Sequence, residues 1–300
     1  MSLPPVIGIE RLTKQFGEVT AVNDVSLTVE AGEVMGYLGP NGAGKTTTIR
    51  CLLGFVFPTS GRVSLFGKEV LTSREELLSE VGYLPGEFGM WPNLTGRQVL
   101  EYLGSIHARP PTRREELCAH FEMTDRDLDR QIRFYSRGMK QKIGLIQAFQ
   151  HDPLLAILDE PTEGLDPVMK ERFLELLVGH RERGGTALLS SHILSEVELA
   201  TDRVAIIKRG QLIKLGETTE LTGERVRHCE LELREPAPLG LSRVPGVSNV
   251  MVNGPRYRFD VTGDMGPLLR WIAPANPLDF VAEPVSLSEA FFEIFEEDQA

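Results

Sequence analysis

The alternation of apolar and polar positions divides the chain into stretches of different predicted structure. Residues 6–67 carry short apolar or alternating runs that are typical of strands, with one helical pattern among them. Residues 96–150 change to helical spacing, in segments that Pro110, Pro111 and polar links separate. We therefore predict a mixed sheet with one helix over the first stretch, followed by an inserted helical subdomain over about 87–150.

Beyond residue 150, strand-like and helical patterns alternate, as is typical of a sheet with helices on its faces. Near residue 224 the composition and pattern of the chain change. Proline becomes frequent, lysine is absent after Lys214, and short strand-like segments follow. Residues 286–297 then show an amphipathic helical pattern. We predict a large α/β domain over 1–223 and a small α+β domain over 224–300.

Composition is that of an ordinary globular chain. Of the 300 residues, 41% are hydrophobic and 25% are charged, and the formal net charge is -11. This acidic balance argues against nucleic acid as a partner, since binding a polyanion normally requires a basic face. The three cysteines form no C-x-x-C pair, so we expect reduced thiols and a cytoplasmic setting. No apolar run approaches the roughly 20 residues that span a bilayer, so a role at a membrane would require a partner.

The stretch GPNGAGKTT (39–47) has the spacing G-x-x-x-x-G-K-[ST] of a phosphate-binding loop. Its glycines allow a tight turn whose N–H groups converge on a polyanion, and the helix that follows adds the positive end of its dipole. Lys45 would reach the terminal phosphates, and the Thr46 hydroxyl stands where a magnesium ligand is expected. The nucleotide-binding residues predicted in this loop are Gly39, Pro40, Asn41, Gly42, Ala43, Gly44, Lys45, Thr46 and Thr47.

Two acids follow an apolar strand pattern downstream, where LLAIL (154–158) ends in Asp159 and Glu160. Magnesium-dependent hydrolysis requires one carboxylate near the metal and another that orients or deprotonates the attacking water. We predict that Asp159 is a metal ligand together with Thr46, and that Glu160 is the catalytic base.

His192 follows the next strand pattern along the chain, in SSH (190–192). A lone histidine is more often a structural hydrogen bonder than a catalyst. Ligands of parallel sheets, however, sit beyond the carboxyl ends of the strands, which would bring His192 to the γ-phosphate as a second catalytic residue.

A serine and a glycine begin a predicted helix in YSRGMKQK (135–142). Such a helix start offers an anion site through its backbone N–H groups, or the serine simply caps the helix. Capping is sufficient to explain this motif taken by itself.

In their order, these motifs resemble those of the ATP-binding cassette (ABC) ATPases over nearly all of residues 6–222. YSRGMKQK is similar to exporter-type cassettes that work with ABC-2 membrane subunits, including the drug-resistance and sodium-export groups. The tail PVSLSEAFFEIF is similar to the end of the accessory domain that many of those cassettes carry. The matching segments are 39–47 for the Walker A loop, 135–139 for the signature motif, 155–160 for Walker B, 163–166 for the D-loop and His192 for the switch histidine.

The resemblance implies a P-loop NTPase cassette with a mixed-sheet core, a β-subdomain and an inserted helical subdomain, plus the small α+β domain. It also implies a homodimer that binds ATP and Mg²⁺, in which Ser136 and Gly138 complete the ATP site of the opposite subunit. Phe16 would stack on adenine in place of the usual tyrosine. Gly86 stands where the family usually has glutamine, so either Glu87 supplies a metal ligand from a shifted loop or the sensing step is altered.

The sequence therefore predicts the ATP-hydrolysing subunit of an ABC exporter. By ATP-dependent dimerisation it would drive a separate transmembrane permease, as a cytoplasmic protein held peripherally at the inner face of the cell membrane. Two alternatives stay open. A non-transport ABC protein acting on ribosomes or DNA would need a second cassette, a coiled coil or a basic face. A regulatory nucleotide-binding module with little hydrolysis is the more serious alternative because of Gly86.

Overall fold

The computed structural model describes residues 4–87, 89–193, 198–221, 226–235 and 239–284. Internal contacts divide the chain into two compact units, 1–215 and 216–300. The division falls inside a strand and earlier in the chain than the boundary predicted at 223/224.

An antiparallel four-stranded sheet opens the first unit, and its inner face is buried in the core. This sheet does not include the strand that precedes the phosphate-binding loop, so the prediction of one mixed sheet over 6–67 was wrong. The reason lies in burial: that strand is buried along its whole length, as parallel strands are, whereas the strand Val19–Val29 alternates buried and exposed positions over most of its length. In spatial order the antiparallel strands are β2 (Val19–Val29), β1 (Ile7–Phe16), β4 (Ser60–Leu65) and β5 (Lys68–Glu69).

The central sheet of the first unit has six strands, and five of them run parallel. Three of the parallel strands, Val34–Leu38, Leu155–Asp159 and Thr186–Ser191, are buried along their whole length. Their carboxyl ends meet at one edge of the sheet, which is where ligands bind in folds of this class. The spatial order is β10 (Gln211–Glu217), β9 (Arg203–Lys208), β3 (Val34–Leu38), β8 (Thr186–Ser191), β7 (Leu155–Asp159) and β6 (Val81–Leu84).

Helices of the first unit follow the predicted pattern with two additions, α2 (Val70–Leu78) and the single turn Asp125–Leu128. Helix α2 has only a weak amphipathic pattern, and Ser73 interrupts it with non-helical backbone angles. The span predicted as a helical subdomain holds four helices and a 3₁₀ turn, Ile132–Phe134. The other helices of this unit are α1 (Lys45–Leu52), α3 (Gly96–Ser105), α4 (Arg114–His120), α5 (Asp125–Leu128), α6 (Arg137–Phe149) and α7 (Pro167–Glu182).

The second unit builds an antiparallel sheet around its own apolar core. Helix α9 (Gly266–Ile272) contributes Leu268 and Ile272 to that core, and α8 (Thr218–Leu221) lies at the start of the unit. The amphipathic helix predicted over 286–297 lies outside the described residues. Over the ranges that are described, no helix has both the length and the apolar character needed to cross a bilayer. The strand order is β12 (Val247–Asn253), β13 (Arg256–Thr262), β11 (Val226–Glu232) and β14 (Asp279–Pro284).

Candidate nucleotide-binding site

A cleft of about 450 Å³ opens over the loop between β3 and α1. It lies at the edge of the central sheet where β6 and β7 also end, as expected for a ligand site in a parallel sheet. Its walls are Ala21, Pro40, Asn41, Gly42, Ala43, Gly44, Lys45, Thr46, Thr47, Arg50, Tyr83, Pro85, Gly86, Glu87, Asp159, Glu160 and Glu163.

Glycine is required in the loop by both conformation and close packing. Gly44 has a φ of 107°, and a Cβ placed on it would lie 2.4 Å from the carbonyl oxygen of Ala21. A Cβ on Gly39 would lie 2.3 Å from the carbonyl oxygen of Ile207. Gly39 therefore serves the packing of the loop, whereas the residues from Pro40 to Thr47 form the wall of the cleft.

Lys45 is a buried cation at the start of α1, with 6% of its side chain exposed. Its Nζ donates to the carbonyl oxygen of Gly39 at 2.6 Å and lies 3.3 Å from Oε1 of Glu160. A buried charge is tolerated when it is paired and hydrogen-bonded. These partners hold the ammonium group over the loop, where an anionic ligand would meet it.

Asp159 ends β7 with its carboxylate directed at the loop, and the residue is 2% exposed. Its Oδ2 accepts a hydrogen bond from Oγ1 of Thr46 at 2.8 Å, and its Oδ1 accepts one from the Ser190 hydroxyl. Carboxylate and hydroxyl oxygens are hard ligands of the type that magnesium prefers. The pair Thr46 and Asp159 thus has the donor chemistry of a magnesium site.

Glu160 and His192 come together because β7 and β8 are neighbouring parallel strands. Oε2 of Glu160 lies 2.8 Å from Nδ1 of His192, while its other oxygen faces Lys45. The Glu160 carboxylate is 17% exposed and His192 is 41% exposed, so the pair is reached from solvent. A carboxylate held in this way can accept a proton from a water molecule in the cleft.

The loop after β6 brings Gly86 and Glu87 to the cleft wall. Glu87 is exposed there, and a Cβ placed on Gly86 would lie 3.4 Å from Cγ of Asp159. A side chain at position 86 would therefore lie against the carboxylate of Asp159. Burial raises the pKa of the neighbouring Tyr83 to about 12, and the charge of Asp159 adds to the shift, so its phenol stays protonated at neutral pH.

Besides Gly39, three predicted nucleotide-binding residues lie off the walls of this cleft, as far as the described residues define them. Phe16 is 50% exposed, and Nζ of Lys14 lies 4.7 Å from the centroid of its ring. Ser136 is exposed and caps α6 by accepting a hydrogen bond from the N–H of Met139 at 3.2 Å. Gly138 approaches the loop after β7, since a Cβ on it would lie 2.8 Å from the carbonyl oxygen of Gly164.

Arg50 and Gln141 lie near the site and were given no role from the sequence, whereas Glu163 belongs to the predicted D-loop. Arg50 and Glu163 line the cleft, and the guanidinium of Arg137 pairs with the carboxylate of Glu163. Gln141 donates from Nε2 to the carbonyl oxygens of Glu160 at 3.2 Å and Pro161 at 2.8 Å. The sequence did carry a signal for Gln141, which lies two residues beyond the signature motif of residues 135–139.

Comparison with known proteins gives relatives over most of the chain. The family described as "ABC transporter" matches residues 22–163. The bacitracin transport ATP-binding protein BcrA of Enterococcus faecalis is 36% identical over 237 residues, which is 78% of this chain and 77% of that protein. The linearmycin resistance ATP-binding protein LnrL of Bacillus subtilis (strain 168) is 35% identical over 216 residues, 71% of this chain and 69% of that protein.

Solved structures agree with these relatives and confirm the predicted fold class. An ATP-binding subunit of an ABC transporter superposes with a TM-score of 0.68 at 28% identity, covering 73% of this chain and 92% of that one. The ATP-binding cassette MJ0796, in a dimeric post-hydrolysis state bound to ADP and Pi, gives a TM-score of 0.65 at 22% identity, covering 71% and 98%. The chain therefore belongs to the ABC transporter family, as an ATP-binding subunit that hydrolyses ATP.

Proposed function

We propose that two copies of this subunit enclose two ATP molecules at their interface and drive a separate transmembrane subunit of an exporter. In this arrangement the protein is cytoplasmic and is held at the inner face of the membrane by that partner. Relatives named for bacitracin transport and linearmycin resistance support a role in the export of such a compound. The dimeric form of a structural neighbour supports the pairing of two cassettes.

One observation carries the assignment of the active site: the Glu160 carboxylate lies between Lys45 and His192 at the rim of the phosphate-binding loop. Lys45 and the loop amides bind the phosphates. Glu160 accepts a proton from the attacking water, and His192 orients this carboxylate while contacting the γ-phosphate. The roles of the three residues are complementary, since a cation binds the anionic group, a base activates water, and the imidazole fixes the base.

Thr46 and Asp159 would hold Mg²⁺, and Glu87 offers a further carboxylate from the cleft wall. When bound, the metal ion would neutralise charge on the phosphate oxygens. Asp159 is kept in place for this task by the Ser190 hydroxyl. Since Gly86 has no side chain that could act as a ligand, Glu87 is the residue of this loop whose carboxylate would replace the family's usual glutamine.

The start of α6 would complete the ATP site of the partner subunit through Ser136 and Gly138. Ser136 is exposed, and the first turn of the helix presents backbone N–H groups to an anion. Phe16 would stack on adenine, since half of its surface is exposed and an aromatic face is all that stacking requires.

Trp91 and Tyr102 would form part of the docking surface for the transmembrane subunit. Their rings pack edge to face at 5.2 Å between centroids, yet Trp91 stays 45% exposed and Tyr102 51% exposed. Trp91→Glu should reduce recovery of the transmembrane subunit from native membranes. Leu154→Glu is the matched control, because Leu154 is equally exposed, at 45%, and lies at the opposite end of β7 from the cleft.

The proposal is tested with Glu160→Gln, which keeps the size of the side chain and removes its basicity. Turnover of ATP should fall by about 100-fold or more, since general bases contribute factors of about 10² to 10⁴. ATP-dependent dimerisation, followed by the mass of the complex, should be retained. Glu171→Gln, at an exposed position of α7, serves as the control and should turn over normally.

A pull-down of the Glu160→Gln protein from native membranes, with and without ATP, tests the partner. Recovery of a multispanning chain together with ATP-dependent dimers would support the proposal. Full hydrolysis by the variant would refute the role of Glu160, and recovery of ribosomal or other soluble partners alone would refute the exporter function.

A further inference from the structure

Glu160 has a backbone conformation that residues with a side chain rarely adopt. Its φ is 52°, in the left-handed region. Such a conformation persists when the surrounding structure holds it, and it is common at functional sites. The conformation matters here because it aims the Glu160 carboxylate at both Lys45 and His192.

Two buried residues, Ser190 and Gln141, hold this turn by hydrogen bonds. The N–H of Glu160 donates to the carbonyl oxygen of Ser190 at 3.1 Å and also faces the Ser190 hydroxyl at 3.3 Å. The side-chain amide of Gln141 donates to the carbonyl oxygens of Glu160 and Pro161. Gln141 is 9% exposed, so water cannot readily replace its two hydrogen bonds.

Gln141 belongs to the helix that Ser136 caps, five residues after Ser136 and three after Gly138. The first turn of α6 is braced on the same loop as Gln141 by two further contacts: Arg137 pairs with Glu163, and Gly138 approaches the backbone of Gly164. The rest of α6, from Ile143 to Phe149, is buried. A displacement of the start of α6 would therefore also move the loop that follows β7.

We propose that Gln141 is a positioning residue that transmits movement of the start of α6 to the backbone of Glu160. This inference rests on the proposed function, in which the start of α6 contacts ATP held by the partner subunit. Occupancy of one ATP site then controls the catalytic carboxylate of the other site through a single helix. A shift of about 1 Å would suffice, because hydrogen bonds are lost beyond about 3.5 Å between heavy atoms.

The test compares Gln141→Met, which keeps the approximate shape of the side chain without its donors, with Gln141→Lys, which restores donors as a charged group on a stem one atom longer. Gln150→Met is the matched control: Gln150 ends the same helix, is fully buried, and donates to the carbonyl of Leu100 away from the cleft. Assays use the assembled transporter and Mg-ATP, with kcat, KM and the Hill coefficient for ATP measured for each protein.

Gln141→Met should lower kcat by about 10- to 100-fold, since small displacements of catalytic groups have effects of this size. KM should change by less than about threefold, and the Hill coefficient should fall toward about 1 as the two sites become independent. Gln141→Lys should recover most of the turnover. Gln150→Met should keep the wild-type kcat and Hill coefficient.

Equal losses in Gln141→Met and Gln150→Met, or wild-type cooperativity in Gln141→Met, would overturn the inference. Thermal unfolding of each variant separates a folding defect, which would move Tm, from a positioning defect, which would not. Failure of the proposed function has a different signature, namely full turnover by Glu160→Gln. Normal turnover by Gln141→Met beside an inactive Glu160→Gln would refute this inference alone.

Discussion

A pair of stacked histidines predicts how the stability of the first unit depends on pH. The rings of His107 and His151 lie 3.8 Å apart between centroids, with an angle of 16° between their planes. His151 is 2% exposed, and neither of its ring nitrogens has a hydrogen-bond partner of normal geometry among the described residues. His151 lies just before β7, at the end of that strand away from the cleft.

Burial lowers the pKa of His151 to about 4, and the neighbouring ring of His107 adds to this shift. Arg109 lowers the pKa further, while the backbone at Val81 and the charge of Asp152 oppose the shift. Burial also lowers the pKa of His107. The folded protein therefore keeps the pair neutral at pH values where the unfolded chain protonates it.

The sign of the effect follows from this difference. A folded pKa below the unfolded value of about 6.5 gives stability that is complete above about pH 6.5 and lost as the pH falls toward about 4. With folded and unfolded pKa values of about 4 and 6.5, protonation of His151 alone lowers the free energy of unfolding by about 2 kcal/mol when the pH falls from about 7.5 to about 5.

The assay is urea unfolding of the wild type and of His151→Phe, which keeps an aromatic ring against His107 but cannot be protonated. The chain has two tryptophans, and Trp271→Phe in both proteins leaves Trp91 as a fluorescent probe of the first unit. Between about pH 7.5 and about pH 5, the wild type should lose about 2 kcal/mol more than the variant. Between about pH 7.5 and about pH 9 the two proteins should change equally. The same loss in both proteins on acidification would refute the reasoning.

Three further predictions concern other parts of the chain. Gly44→Ala should abolish stabilisation by ATP in a thermal shift assay, because its Cβ would collide with the Ala21 carbonyl at 2.4 Å; a normal shift would contradict the packing argument. Burial raises the pKa values of Cys51 and Cys229 to about 11. A thiol reagent at about pH 8 should therefore label both cysteines in urea and hardly at all in the native protein. Rapid labelling of the native protein would be inconsistent with this burial. Phe16→Ala should raise KM for ATP about 3- to 10-fold, which is the effect expected for the loss of one aromatic contact, and should leave kcat unchanged. Phe16→Tyr should keep a KM near that of the wild type. An unchanged KM in Phe16→Ala would exclude stacking.

The sequence predicted the parts of the site that short motifs or strand order define. The phosphate-binding loop needs nine consecutive residues, 39–47, and its glycines follow directly from backbone geometry. Glu160 and His192 are far apart in the chain, yet both follow strand patterns of one parallel sheet. The rule that the carboxyl ends of such strands share one edge of the sheet was enough to predict that the two residues lie near each other.

Other features depend on contacts that no local pattern contains. Assignment of β1 and β4 to a separate sheet is decided by long-range register, with Ile7 opposite Leu65. Helix α2 has a weak amphipathic pattern, so periodicity gave no signal for it. The bonds of Gln141 to the turn at Glu160 depend on how α6 packs on the loop after β7, and a hydropathy pattern does not contain that information.

The packing behind the phosphate-binding loop has a thermodynamic consequence for ligand affinity. Gly39 rests against a main-chain carbonyl of β9, and Gly44 against one of β2, so two different sheets fix the path of the loop. A loop ordered by its own protein loses little conformational entropy when a ligand binds, and more of the contact free energy remains as affinity. Preorganisation of this kind would favour rapid capture of a phosphate chain without a preceding rearrangement of the loop.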